Sequence, residues 1–387
     1  MWPFDCSASL SVIRKQSGLQ RTARKDRKMK IAQVAPLYES VPPKAYGATE
    51  RVVSALTEQL VAWGHDVTLF AAGDSKTQAR LRATHPVGLW RDERVWDTTS
   101  HHLRQLDAVV RRSAQFDLVH FHGEPFHLPL QRYMSCPSLT TVHGRLLVPD
   151  HGPLYGAYPD APLVSISDSQ RKDTPHANWI GTVHHGLPLD AMRFSPNGGD
   201  YLLFVGRMMP EKGIERAVEI ARRAGLPLKI AAAVHPGERA WFREEIYPML
   251  EASQSFVEYL GEVGGETRLE LFSHARALMF PIGWEEPFGL VLIEAMASGT
   301  PAIAFRRGAV PEIVEHGVTG FIVDDVEQAV RAVQKLGTIR RNDCRRSFER
   351  RFSAERMTRD YLAIYRTLLA DPARGGEEWA PGDPMQA

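Results

Sequence analysis

The sequence predicts an α/β protein built from two consecutive domains, each with a parallel β-sheet. Its 387 residues are ample for two hydrophobic cores. The first half opens with a strand–helix–strand pattern, which is typical of parallel sheets. A linker over Phe194–Asp200, with two Gly and one Pro, precedes a second strand–helix–strand pattern. The predicted domains therefore cover residues 29–195 and 196–355, with a further helix over 356–370.

The first unit consists of a strand, a helix and a second strand. Ile31–Ala35 is a short apolar strand that ends at Pro36. Thr49 can cap the next helix, because its hydroxyl can accept a hydrogen bond from a free backbone N–H group. Gly64 ends this helix, and Asp66–Ala71 is the second strand. No G-x-G-x-x-G follows the first strand, which argues against a nicotinamide dehydrogenase. The apolar face of the helix consists of Val52, Leu56, Leu60 and Trp63.

Further apolar runs predict the other strands of both sheets. In the first half they are Asp117–His122, Leu139–His143, Leu163–Ile166 and Trp179–His184. In the second half they are Tyr201–Val205, Leu228–Ala233, Val257–Leu260, Ala277–Pro281, Pro301–Phe305 and Gly320–Val323. A helix that begins near Ile214 and is capped by Gly225 separates the first two of these. The last helix, Arg356–Leu369, has one apolar side and must pack against another part of the chain.

A helix predicted to start at Pro287 and to end at Gly299 is apolar on every face except at Glu294. Burial of that carboxylate costs several kcal/mol unless a hydrogen bond satisfies it. Glu286 lies just before the helix, where free N–H groups and the helix dipole favour an anion. Two interpretations stay open on these residues alone. Amides could hold a phosphate while the carboxylates hold hydroxyls, or Glu286 could cap the helix while Glu294 pairs with a core Arg.

Bulk composition excludes several classes of protein. A net charge of +1 gives no reason to expect nucleic-acid binding, and no apolar run approaches the roughly 18 residues that span a bilayer. Three scattered cysteines indicate a reducing compartment, so we expect a cytoplasmic protein. Residues 1–28 are basic and residues 371–387 are rich in Gly, Pro and acidic residues, which predicts two disordered ends. Weak contact of the basic arm with the inner membrane surface is a further hypothesis.

Ligands of open α/β sheets bind at the carboxyl ends of the strands. Arg207 and Lys212 share one such strand-to-helix loop, and together they suit a diphosphate. Arg makes planar contacts at several points, and Lys adds a point charge. A metal site is not predicted: neither Cys nor paired Asp completes a ligand set with the nearby histidines, and Asp-x-Asp does not occur in the sequence. The histidines concerned are His120, His122 and His127.

Three segments of the second half resemble family-4 retaining glycosyltransferases of the GT-B fold. They are Gly206-Arg-x-x-Pro-Glu-Lys-Gly213, Pro281-x-x-x-Glu-Glu-Pro-Phe-Gly-Leu-Val-Leu-Ile-Glu-Ala-Met-Ala-Ser-Gly-Thr-Pro301 and Pro311-Glu-Ile-Val-Glu-His-Gly-Val-Thr-Gly320. The first half agrees through Tyr46-Gly-Ala-Thr-Glu50, Trp63-Gly-His-Asp-Val-Thr-Leu69, His120-x-His122 and Thr141-Val-His-Gly144. The resemblance covers residues 29–370 and implies two Rossmann-like domains that face a central cleft. It also implies that the last helix crosses back onto the first domain.

The resemblance implies a reaction as well. A sugar would pass from a nucleotide-diphospho-sugar, expected to be UDP- or GDP-linked, to a sugar, a lipid-linked molecule or another small molecule. The anomeric configuration would be retained, with neither a metal ion nor another cofactor. Because fold alone does not fix function, three alternatives stay open. These are a phosphorylase, a nucleotide-sugar epimerase and a non-catalytic protein that binds nucleotide-sugars or a partner.

Residue roles follow from the same resemblance. Arg207 and Lys212 would bind the donor diphosphate and stabilise it as it leaves. Glu286 would hold hydroxyls of the donor sugar, and His143 would contact that sugar near its anomeric carbon. The other expected binding residues are Gly47 near a phosphate or the acceptor, Glu262 and Val263 near the base, the amides of Gly289 and Leu290 on the diphosphate, and Glu294 on the ribose.

Three positions depart from the pattern of the family. Ala48 stands where a second glycine is common, which could shift the acceptor or phosphate geometry. His185-Gly186 replaces the common Asn-Gly before the linker. Trp284 occupies a position that is often small, so the fit of the donor sugar depends on where this ring lies.

Overall fold

The protein is described here by a computed structural model that covers residues 28–44, 47–146 and 150–370. Within these residues the chain forms two β-sheets in which every pair of strands is parallel. This confirms the predicted fold class. The first sheet contains β1 (Lys30–Val34), β2 (Asp66–Phe70), β3 (Arg80–Arg82), β4 (Leu118–Phe121), β5 (Ser138–Thr141), β6 (Leu163–Ser165) and β7 (Trp179–Thr182), in the order β3-β2-β1-β4-β5-β6-β7. The second contains β8 (Leu202–Arg207), β9 (Leu228–Ala233), β10 (Val257–Gly261), β11 (Ala277–Phe280), β12 (Ala302–Phe305) and β13 (Gly320–Val323), in the order β10-β9-β8-β11-β12-β13.

Helices cover the faces of both sheets, as parallel sheets require. In chain order they are α1 (Ala48–Ala62), α2 (Thr98–Val110), α3 (His151–Gly156), α4 (Ile214–Ala224), α5 (Arg239–Trp241), α6 (Tyr247–Ala252), α7 (Gly265–His274), α8 (Leu290–Ala297), α9 (Val310–Ile313), α10 (Val326–Gln334), α11 (Arg341–Arg351) and α12 (Ala354–Ala370). None of the helices in the described part of the chain is long and apolar enough to cross a membrane.

Two predicted helix starts are wrong. The N-cap of α1 is Gly47, so Thr49 lies inside the helix and does not cap it. The helix after Pro287 begins only at Leu290, because Gly289 has φ +88° and a left-handed residue interrupts the helical path. Trp63, placed on the apolar face of α1, lies just past the helix end and is 40% exposed.

The last helix, α12, packs against the first sheet although it follows the second sheet in sequence. Met357, Tyr361 and Tyr365 are fully buried in one core cluster with Ile31 of β1 and Leu56 of α1. The predictions of disorder at both ends concern residues 1–28 and 371–387, which lie outside the described residues apart from Lys28.

Candidate active site

A cavity of about 780 Å³ lies between the carboxyl ends of the two sheets, and we call it the large cavity. Its first-domain wall includes His143, which follows β5, and its second-domain wall includes Arg207 at the end of β8. Lys212 and Glu286 lie on the second-domain wall as well. The structure thus brings together all four residues expected to act in catalysis. The cavity has the size of a small-molecule site.

Lys212 and Glu286 form an ion pair at the cavity wall. Lys212 Nζ lies 2.6 Å from Glu286 Oε2, and the two side chains are 20% and 13% exposed. The same Nζ lies 4.8 Å from the ring centroid of Trp284, within the range of a cation–π contact. The indole of Trp284, the residue that departs from the family pattern, therefore covers the lysine. The low exposure strengthens the field of the ammonium group, because little water screens it.

Arg207 is held by a second carboxylate. Its Nη2 donates to Glu238 Oε1 at 2.8 Å, while its buried Nε has no hydrogen-bond partner among the described residues. An unsatisfied donor of this kind is costly, and a ligand oxygen in the cavity could satisfy it. The two cations of the predicted diphosphate site are therefore both present, each beside one glutamate.

The main chain of Glu286 is fixed by the turn after β12. Gly308 N donates to Glu285 Oε2 at 2.6 Å, and Ala309 N donates to the main-chain oxygen of Glu286 at 2.9 Å. Gly308 has φ +52°, and a Cβ atom there would meet that oxygen at 2.2 Å and the main-chain nitrogen of Glu286 at 2.4 Å. A side chain at position 308 must therefore displace Glu286.

Gly308→Ala is expected to lower turnover about tenfold to a hundredfold, because displacing a positioned group by about 1 Å has effects of this size. Gly317→Ala is the matched control: Gly317 also has positive φ, at +79°, but its Cβ would meet no atom within 4 Å. Gly317→Ala should lose about 1–2 kcal/mol of unfolding free energy, as a left-handed non-glycine residue does. Gly308→Ala should lose more, because its Cβ also meets the main chain of Glu286. Denaturation curves measure the loss of stability in each variant. Steady-state rates measure the effect of displacing Glu286, which only Gly308→Ala should cause. Equal rates would show that the turn does not position Glu286.

A chain of hydrogen-bonded side chains leads from His143 to the last helix, α12. Its Nε2 lies 2.9 Å from His122 Nδ1, and His122 Nε2 lies 2.6 Å from Gln33 Oε1. Gln33 Nε2 in turn donates to the hydroxyl of Tyr365 on α12, at 3.1 Å. Because Gln33 Oε1 only accepts, His122 donates to it, and its other nitrogen accepts from His143. His143 therefore carries its proton on Nε2, and its buried Nδ1, without a partner in the described structure, is an acceptor.

The imidazole of His143 is uncharged. Burial lowers its pKa to about 3, so it carries no positive charge at neutral pH. Its ring stacks on His185 with centroids 5.1 Å apart, so the histidine that departs from the family pattern supports it. His143 can therefore hydrogen-bond a ligand but cannot act as a cation.

The histidines considered as metal ligands are used inside the protein. His120 contacts Tyr365 and Thr141, at 2.7 Å each. His127 contacts the main chain of Glu124 and, at 2.5 Å, the hydroxyl of Thr140. Both nitrogens of His122 are occupied as well. Across the described ranges there is no group of three or more His, Cys, Asp or Glu side chains arranged to hold a metal ion.

A second cavity, of about 80 Å³, adjoins the large one and is called the small cavity. Gly47 and Ala48 line both, so the two cavities lie side by side at the start of α1. The structure gathers here most of the residues expected to bind the nucleotide: Glu262, Val263, Leu290 and Glu294. Gly289 lines neither cavity and instead caps α8.

Glu294 is 1% exposed and is paired across the domains. Its Oε1 accepts from Arg51 of α1 at 2.8 Å, and its Oε2 accepts from Arg268 of α7 at 2.6 Å. This is the pairing with Arg that the sequence left open. A ribose hydroxyl at this carboxylate would share it with the two guanidinium groups or replace one of them.

Glu50 adds a titratable carboxyl to the large cavity. Burial raises its pKa to about 7 from the ordinary 4.5, with a smaller contribution from Glu39. Between these pH values the folded protein keeps a proton that the unfolded chain has lost, so stability falls as pH rises through this window.

Relative to Glu50→Gln, the wild-type protein should therefore lose up to about 3 kcal/mol of unfolding free energy between about pH 5 and about pH 8. Urea denaturation of both proteins at the two pH values measures this difference. Parallel pH dependence of the two proteins would contradict it.

Several residues of the site were not identified from the sequence. Arg51 and Arg268 pair with Glu294, and Glu238 pairs with Arg207. Gly308 hydrogen-bonds Glu285, the neighbour of Glu286, and Tyr365 hydrogen-bonds Gln33. The buried carboxylate of Glu294 predicted a partner of some kind. Which residue it would be depends on the packing of the domains, which one sequence does not specify.

Comparisons with known proteins agree with the family and the fold that the sequence predicts. A family model described as "Glycosyltransferase Family 4" matches residues 49–192, and one described as "Glycosyl transferases group 1" matches residues 191–351. An uncharacterized glycosyltransferase of Methanocaldococcus jannaschii is 24% identical, over 88% of this chain and 99% of the relative.

Solved structures show the same likeness. AviGT4, a glycosyltransferase involved in avilamycin A biosynthesis, is 26% identical with a TM-score of 0.69, over 88% of this chain and 98% of its own. HepE of Anabaena, solved in complex with UDP and glucose, has a TM-score of 0.67 at 14% identity, over 88% of this chain and 100% of its own. The likeness to HepE concerns the fold alone.

Proposed function

The chain belongs to the family-4 glycosyltransferases of the GT-B fold, and we propose that it transfers a sugar from a nucleotide-diphospho-sugar with retention of anomeric configuration. The observation that carries this proposal is the placement of Arg207 and Lys212 on one wall of the large cavity, opposite His143. Two cations in a partly buried site suit a diphosphate, and the residues that face them suit a sugar.

Stabilisation of the departing diphosphate is the main chemical contribution that we propose. Ion pairs with Glu286 and Glu238 hold Lys212 and Arg207 in position. Charges that are already in position stabilise the negative charge that develops as the bond to the sugar breaks. Since two cations supply this charge, we propose that the reaction needs no metal ion.

The residues that line the large and the small cavity suggest how the donor would lie. Its diphosphate would lie at Lys212 and Arg207, and its nucleoside would extend past Gly47 into the small cavity. Glu286, already bound to Lys212, would accept hydrogen bonds from the sugar hydroxyls. His143 would present its unpartnered Nδ1 as an acceptor near the anomeric carbon. The donor would be linked to UDP or to GDP.

Product analysis tests the proposal against its alternatives. The enzyme is incubated with UDP- and GDP-sugars and a panel of sugar acceptors, with and without inorganic phosphate. A new glycoside plus nucleoside diphosphate, independent of phosphate, is the expected result. A sugar 1-phosphate would indicate a phosphorylase, and a changed nucleotide-sugar an epimerase. Donor binding without any product would indicate a non-catalytic protein.

A further inference from the structure

The two walls of the large cavity differ in chemistry. Both walls carry two carboxyl groups, those of Glu50 and Glu124 on the first domain and those of Glu211 and Glu286 on the second. Two cations, Arg207 and Lys212, lie on the second-domain wall. Among the described residues that line the first-domain wall, the one Lys or Arg is Arg145, whose guanidinium lies 5.5 Å from the ring of Trp284. The first-domain wall therefore offers a phosphate fewer cations than the second-domain wall does.

Trp90 offers a flat apolar surface in this cavity. It is 54% exposed, and one face of its ring stacks on Tyr38, with centroids 5.0 Å apart and the planes 26° apart. The rings of Trp90 and of His235 in the second domain are nearly perpendicular, with their centroids 6.0 Å apart. An exposed indole in a cleft leaves a large apolar area in water, which a ligand can cover.

Hydrogen bonds and an ion pair hold the surface formed by Trp90 and Tyr38 in place. Main-chain N–H groups of Leu89 and Trp90 donate to the carbonyls of Leu37 and Tyr38 at 2.9 and 3.1 Å. Next to them, Arg91 Nε lies 2.9 Å from Glu39 Oε1. Consecutive contacts thus fasten the segment around Trp90 to the segment around Tyr38. Binding to a surface already in place avoids the entropy cost of ordering it.

Two carboxyl groups share the large cavity with the surface formed by Trp90 and Tyr38. Glu50 and Glu124 line the same cavity as Trp90 and Tyr38. Burial raises the pKa of Tyr38, and the charges of Glu124 and Glu50 raise it further. Carboxyl oxygens accept hydrogen bonds from hydroxyl groups in either protonation state, and above the pKa of Glu50 its negative charge also repels a phosphate. An aromatic face with carboxylates at its edge matches a pyranose, which has an apolar C–H face and a rim of hydroxyls.

We propose that Trp90 and Tyr38, with Glu50 and Glu124, form the acceptor subsite, and that the acceptor is a neutral saccharide. One face of a sugar ring would stack on Trp90, and its hydroxyls would donate to the two carboxylates. The absence of further Lys or Arg on this wall, within the described residues, argues against an acceptor bearing a phosphate. This inference rests on the proposed function.

The experiment compares donor hydrolysis with transfer. Hydrolysis of the nucleotide-sugar by water needs no acceptor, so it reports the proposed function by itself. Transfer is then measured to neutral glucosides, maltose, cellobiose and lactose, and to glucose 1-phosphate, glucose 6-phosphate and inositol phosphate. The variants are Trp90→Ala, Trp90→Phe and the control Trp96→Ala, whose side chain is 98% exposed and lines neither cavity.

The expected result is transfer to at least one neutral saccharide and to none of the phosphorylated acceptors. Trp90→Ala should raise the KM for that acceptor at least about tenfold, a larger change than in donor hydrolysis, and Trp90→Phe should restore most of the loss. Trp96→Ala should behave as wild type. Transfer to a phosphorylated acceptor alone, or an unchanged KM in Trp90→Ala, would overturn the inference. A wild-type enzyme that turns over no donor would overturn the proposed function and this inference with it.

Discussion

Lys212→Ala is expected to lower kcat/KM for release of the nucleoside diphosphate by about 1000-fold. Lys212 Nζ is fixed by Glu286 at 2.6 Å and covered by Trp284, so its charge acts in a site with little water. Removing one fixed group that stabilises developing charge costs about 2.7–4 kcal/mol of transition-state free energy. The variant also leaves Glu286 without its cation, which adds repulsion toward the diphosphate.

Steady-state release of nucleoside diphosphate measures this effect, and Lys229→Ala is its matched control. Lys229 pairs with Glu258 on neighbouring strands of the second sheet, and it lines neither the large nor the small cavity. The control should keep wild-type rates. Wild-type turnover in Lys212→Ala would show that the diphosphate does not leave beside this lysine.

Glu294→Ala is expected to lower the free energy of unfolding by about 3 kcal/mol or more. The carboxylate is 1% exposed and accepts from Arg51 and Arg268, which are themselves largely covered. Removing one partner of a buried ionic cluster leaves charge without compensation, and such losses reach about 3–5 kcal/mol. The affinity for the donor should fall as well, because the variant also removes the proposed contact with the ribose.

Denaturant unfolding of Glu294→Ala, beside Glu258→Ala, measures the effect. Glu258 is 56% exposed in its pair with Lys229, so the loss there should stay below about 1 kcal/mol. The double variant Arg268→Ala/Glu294→Ala should be less destabilised than the sum of the two single variants, because it removes both charges of the contact. If the losses of the two single variants simply add up in the double variant, the Arg268–Glu294 pair makes no net contribution to the free energy of unfolding.

Much of the site was predictable because parallel strands point their carboxyl ends to one edge. Residues that follow a strand in sequence then meet in space, which is how His143 and Arg207 could be placed in one cleft. The turn after Pro287 could not be predicted in the same way. Proline at a first helical position is common, yet Gly289 takes a left-handed conformation, and the helix starts after it.

The contacts that hold the site could not be predicted from the sequence, because they join residues far apart in the chain. Tyr365 reaches Gln33 and His120 only because α12 returns to the first sheet. Arg51 reaches Glu294 only because the two domains meet at the start of α1. A local pattern predicts that a buried carboxylate needs a donor, but the domain packing decides which donor it receives.

Release of nucleoside diphosphate from a panel of UDP-, GDP- and ADP-sugars, with EDTA present and no acceptor added, tests the central claim most directly. We expect slow hydrolysis of one donor at a rate that EDTA does not change, because Arg207 and Lys212 supply the positive charge. That result would also identify the base and the sugar. Turnover that requires an added divalent cation, or failure of every donor to bind, would contradict the account.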